Sequence, residues 1–214
     1  MVFCSKSLLL GLAAVVMTLV PLRADIGLDN TAGVFSSVST FGLPDSQTYG
    51  EVFTAPITGK LTLFSLWLEG GVGSLEGAVG TWNGGASYAL GWGSPIALYV
   101  SAPVASTGTQ QFTFSPNINV VAGQQYVAFL SVFGDAGAGG TTAMPLSSSS
   151  VTGIDYFVWN NSTTPYGNPS WNYFFDAGNA EFQANFTATP EPGAVLLTVT
   201  MLLGVALLAR KRMA

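Results

Sequence analysis

Between residues 25 and 189 the apolar positions recur every second residue or gather in short unbroken runs. That is the spacing of strands, not the 3.6-residue spacing of an amphipathic helix. In 60–68 (KLTLFSLWL) nearly every position is apolar or β-prone, which predicts a strand covered on both faces. The stretch 124–133 reads the same way and follows the turn Ala122-Gly123. Shorter strands are predicted at 52–55, 95–101, 110–114 and 154–160, and Trp67 and Tyr99, lying within strands, are expected in the core. The segment 181–187 alternates cleanly, with Phe182, Ala184 and Phe186 inward and Glu181, Gln183 and Asn185 outward. Clusters of Gly, Ser, Asn and Pro separate these runs, and 70–93 and 134–152 read as long loops. No 20–50-residue repeat and no useful helical stripe is present. Seven or eight short strands in about 165 residues predict an all-β fold, an antiparallel β-sandwich of jelly-roll type.

Both ends break the pattern. Lys6, an apolar run over 7–20, then Pro21 and Ala24 have the order of a secretory signal peptide, with cleavage expected after Ala24; a retained N-terminal anchor is the alternative. Cys4 precedes the apolar run and so cannot serve as a lipid attachment site. At the other end, Pro190-Glu191-Pro192-Gly193 leads into an apolar run over 194–209, followed by Arg210-Lys211-Arg212. A helix over 193–209 would be ~25 Å long at 1.5 Å per residue, enough for a thin bilayer core. The basic triplet would sit on the cytoplasmic side. The expected organisation is therefore a signal peptide at 1–24, a β-sandwich at 25–188 and a C-terminal sorting segment at 189–214, with a helix in each flanking segment.

The C-terminal order of Pro190-Glu191-Pro192, one hydrophobic span and a terminal Arg210, Lys211, Arg212 cluster resembles the PEP-CTERM sorting signal of Gram-negative bacteria. The likeness covers about 25 residues. It implies that an exosortase-type membrane protease recognises the Pro-Glu-Pro motif. That enzyme would remove the tail and deliver the protein to the cell surface or to exopolysaccharide. The alternative is an ordinary tail anchor. The middle segment, with Glu51-Val-Phe-Thr-Ala-Pro, Trp82-Asn-Gly-Gly and Val121-Ala-Gly-Gln-Gln-Tyr-Val, is similar to other secreted sandwiches carrying such a tail. That similarity implies a fold and no activity.

Composition narrows the chemistry. There is no histidine, and Cys4 is the one cysteine. Most metal sites, Ser-His-Asp and Cys-His nucleophiles and any disulfide framework are thereby excluded. Five of the six basic residues lie in the two end segments, leaving Lys60 against ten acids in 25–189, a balance of one minus ten, or −9. Such a surface repels nucleic acid and anionic lipid, and suits divalent cations or neutral polymers.

Three candidate sites follow. Trp82, Trp92, Trp171 and Tyr173, flanked by Gly or Asn, either fill a core or stack on sugar rings, whose C–H faces suit indole and phenol. Asp135, Asp155, Asp176 and Glu181 offer oxygens for Ca2+, yet no DxDxDG-like spacing exists, and the expected cofactor set is empty. A glycosidase would need two carboxylates across a cleft, and no motif singles out a pair. The expectation is a non-enzymatic exported protein of the surface or extracellular matrix, associated with exopolysaccharide or biofilm. Its partners would be signal peptidase, the exosortase, the membrane before processing and exopolysaccharide, without nucleic acid. A carbohydrate-binding module is the alternative, and a glycosidase or lyase a more distant one.

Overall fold

The computed structural model describes residues 25–83, 95–161, 171–173 and 178–189, with 200–201 and 203–204 near the C-terminus. Two units form: Met1–Ala24 with Thr189–Ala214, and Asp25–Ala188. In the first, positions 200, 201, 203 and 204 are helical. Among the described residues no helix is long and apolar enough to cross a membrane. The signal segment, Pro190-Glu191-Pro192, most of the 193–209 span and Arg210, Lys211 and Arg212 lie outside the described residues.

The second unit is built from strands β1 (Asp25–Asp29), β2 (Val34–Leu43), β3 (Thr48–Thr54), β4 (Gly59–Leu68), β5 (Gly73–Thr81), β6 (Ala97–Val100), β7 (Val104–Ser106), β8 (Gln110–Phe114), β9 (Ile118–Val120), β10 (Gln125–Ser131), β11 (Gly140–Ser147), β12 (Ile154–Asn160), β13 (Asn172–Tyr173), β14 (Asn179–Ala180) and β15 (Phe182–Ala188). A five-stranded sheet runs β1-β15-β4-β8, with β9 also on β4. A seven-stranded sheet runs β13-β12-β3-β10-β5-β6, with β7 also on β5, and β14-β11-β2 form a third. Every pairing between these strands is antiparallel.

The large sheets face each other across one apolar core, so the antiparallel β-sandwich stands. From the five-stranded sheet come Leu61, Phe64, Leu66, Phe114, Phe182 and Phe186; from the seven-stranded sheet, Tyr49, Phe53, Tyr126, Leu130 and Phe157. Phe53 lies stacked 5.5 Å from Phe182, joining the layers ring to ring. The alternation read in 181–187 holds: Phe182, Ala184 and Phe186 are fully buried, while Gln183 and Asn185 face outward. Asn30 closes one end: its Nδ2 donates to the Ala180 carbonyl and its Oδ1 accepts from the Phe182 N–H, both at 2.8 Å.

Two expectations are corrected. The supposed loops at 70–93 and 134–152 contain β5 and β11, and β1 and β2 are further strands. Their Gly-, Ser- and Thr-rich sequences are strands because neighbours fill the space that their own side chains do not. A Cβ on Gly77 would lie 2.3 Å from the ring of Phe114, so the missing side chain is where that ring packs. Secondly, β4 is not covered on both faces. Opposite a register shift between Asn185 and Phe186, it sends Leu61, Phe64, Leu66 and Leu68 inward. Leu63 and Trp67 point outward, only half-buried, so Trp67 is not a core residue. Tyr99 does pack on the core, edge to face with Phe64 at 6.5 Å.

Candidate functional site

Two of the aromatic candidates, Trp82 and Trp171, meet on the outer face of the seven-stranded sheet. Alternation places Val52 of β3, Val127 and Phe129 of β10, and Tyr156 and Val158 of β12 on the face opposite the main core. A row of apolar side chains there must be covered. The cover includes Trp82, just after β5, and Trp171, just before β13. The Trp82 N–H donates to the Gln125 carbonyl at 3.0 Å, fixing the backbone beside β10. Its indole Nε1 donates to the Tyr156 hydroxyl at 2.6 Å. Trp171 meets Trp82 edge-on at 5.9 Å and Phe129 at 5.2 Å. Gly50, opposite Phe129, makes room, since a Cβ there would fall 2.6 Å from that of Phe129.

This corrects the reading of Trp82 and Trp171 as sugar-stacking rings. Their exposures are 6% and 0%, and their faces are spent on each other and on the sheet. Trp92 lies outside the described residues; Tyr173 pairs through its backbone with Val158, and its side chain is not described. The signal for the cover was present in the sequence, because three neighbouring strands carry apolar residues on both faces.

A polar row borders this cluster. Asn160, Thr48, Ser131 and Glu76 are successive cross-strand partners on β12, β3, β10 and β5. The Thr48 and Ser131 hydroxyls hydrogen-bond at 2.9 Å. Burial pushes the Glu76 carboxyl above its ordinary range, and the charge of Asp135 adds to this. Asp135 itself accepts from the Gly137 N–H at 2.8 Å.

The carboxylates are dispersed. Asp155 accepts from Thr54 Oγ1 at 2.7 Å and Gln125 Nε2 at 2.9 Å, which accounts for it as a local brace. Burial raises the pKa of the Glu181 carboxyl and the charge of Asp29 adds to this; Asp176 lies outside the described residues. Among the described residues no three acids, cysteines or histidines gather as a metal site. Glu51 is the exception to surface placement. It lies between Tyr49 and Phe53 on the inner face of β3, fully buried, with Ala128 and Phe157 as cross-strand partners. Its Oε2 accepts from the Ala180 N–H at 2.7 Å, while Oε1 has no hydrogen-bond partner among the described residues. Desolvation drives its pKa well above the usual carboxylate range, against the pull of the Ala180 N–H and with a further push from Asp155. Burial thus favours the neutral form of a group that faces an apolar interior. It is a structural acid, and sequence alone offered no sign that this one of ten was buried.

The chain matches no protein-family model and no curated protein. Among solved structures it is similar to a chain described as the cysteine protease and lectin-like domains of Cwp84, a surface layer associated protein of Clostridium difficile. The identity is 8% and the TM-score 0.53, over 77% of this chain and 36% of that one. The likeness is one of fold, and this chain spans about a third of the other's length.

Proposed function

We propose that this chain is an exported, non-enzymatic surface or matrix protein that associates with neutral exopolysaccharide. In this reading the signal peptide over 1–24 exports the chain. The C-terminal helix over 193–209 then holds it in the inner membrane until an exosortase-type protease acts at Pro190-Glu191-Pro192. The sandwich is read as jelly-roll-like. The observation that carries the proposal is the placement of charge: ten acids and one base in 25–189, with the remaining basic residues confined to two apolar ends. A net-negative unit is repelled by anionic lipid and nucleic acid, and uncharged polymers remain as extended partners. The fold likeness to a surface-layer-associated chain with a lectin-like domain supports the same class. Intact mass and cell fractionation test the sorting. A species beginning near Asp25, ending before Ala194 and found outside the inner membrane is expected. A species retaining 194–214 in the inner membrane overturns it.

A further inference from the structure

We propose that the outer face of the five-stranded sheet is a binding platform for a neutral polysaccharide chain, centred on Trp67. The proposal rests on the polysaccharide reading above and gives it a place.

On this face Trp67 stands between the inward-pointing Leu66 and Leu68 and is half-buried, with its cross-strand neighbour Gln111 on β8. Leu63 lies further along the same strand, on the same side. Around these two apolar residues runs an ordered line of hydrogen-bonding groups, two glutamine amides that end on a carboxylate. Gln111 Nε2 donates to Gln183 Oε1 at 3.4 Å, bridging from β8 across β4 to β15. Gln183 Nε2 donates to Asp29 Oδ2 on β1 at 2.8 Å. Asp29 Oδ1 in turn accepts from the Thr31 N–H and hydroxyl. The line thus crosses four strands, or about 14 Å at ~4.8 Å per strand spacing. The bond between the two glutamines is long for an amide pair, so a hydroxyl can replace it at little cost.

Next to this line an asparagine amide covers a glycine. Gly27 on β1 is the partner of Asn185, and a Cβ there would come within 3.3 Å of Asn185 Oδ1. The exposed Asn185 amide therefore lies over Gly27 at the surface of the face.

The chemistry selects the occupant. An apolar ring with flanking amides fits a sugar, which has a C–H face and a rim of hydroxyls that both donate and accept. The charged groups on the face are Asp25, Asp29 and Glu181 against Lys60, so a polyanion is repelled. The amides are already held by neighbours across the sheet, which lowers the entropy lost on binding.

The test is retardation of the full chain, kept in detergent, in gels carrying neutral polysaccharides (a β-glucan, a galactomannan, a xylan), with alginate as the anionic comparison. Trp67→Ala and Gln183→Ala are expected to weaken retardation on the neutral gels about tenfold or more, with Trp67→Phe intermediate and unfolding midpoints unchanged. Retardation of the parent that both alanine variants retain in full overturns the platform and leaves the polysaccharide reading standing. No retardation of the parent on any neutral gel overturns both. Stronger retardation on alginate overturns the neutral occupant. Unaltered retardation together with lost self-association in Trp67→Ala overturns the platform in favour of an interface between copies.

Discussion

Glu51→Gln isolates the effect of one buried acid on the pH dependence of folding. In the unfolded chain a glutamate titrates near about 4.3. In the folded protein, desolvation raises the Glu51 pKa well above that value, although the Ala180 N–H favours the charged form. Between the two values the native state binds one more proton than the unfolded state, so stability falls as pH rises. One proton corresponds to about 1.4 kcal/mol per pH unit across that window. Glutamine keeps the shape and an acceptor for Ala180 but cannot ionise. It also leaves amide hydrogens in a site where Oε1 has no described partner, a cost of about 1–3 kcal/mol that does not depend on pH. The decisive quantity is therefore the slope. Urea unfolding followed by tryptophan fluorescence at half-unit steps from about pH 5 upward should show the variant gaining on the parent as pH rises, by at most about 1.4 kcal/mol per unit and levelling off once Glu51 ionises in the folded parent. Glu76 and Glu181, whose pKa values burial also raises, add slopes of the same sign to both proteins and cancel in the difference. Parallel curves for parent and variant would refute the reasoning, since they would mean that Glu51 is ionised in the folded state.

Other outcomes follow from packing. Gly77→Ala should destabilise by about 1–3 kcal/mol, because its methyl would meet the Phe114 ring, which lies 5.1 Å from that of Phe64; Phe114→Leu should recover part of the loss in a double-mutant cycle by chemical denaturation. Trp171→Ala should cost about 3–5 kcal/mol, and wherever the variant stays folded its polysaccharide retardation should equal the parent's. Leu98 and Val100 on the end strand β6 are 40% and 42% exposed, and Ile96 just before it 69%, so Leu98→Lys should raise the concentration at which the protein begins to aggregate, by light scattering, and change stability by less than about 0.5 kcal/mol.

Strands with bulky alternating residues were legible. Gln110–Phe114 and Ile154–Asn160 stand at their expected limits, and in the first the apolar residues on a period of two also state the buried face. Gly73–Thr81 and Gly140–Ser147 were not, because small residues carry little local preference and become strands through what packs against them. The site was harder to read. Flanking Gly and Asn left open whether Trp82 and Trp171 fill a core or stack on sugars, and they cover a second apolar face. Trp67, in an unbroken apolar run, looked like core, and only the shifted register of β4 against β15 shows which face it takes. An unbroken run hides the choice of face that an alternating one declares.

The pairing of Asp25 with Thr187 has a mechanical consequence. The last strand of the unit lies inside its sheet, between β1 and β4, and does not form the rim. Tension drawn lengthwise from Ala188 therefore loads two ladders in shear at once, and their hydrogen bonds must give way together, not one after another as in unzipping. A protein attached through residues beyond 188 would take drag as shear on these two ladders.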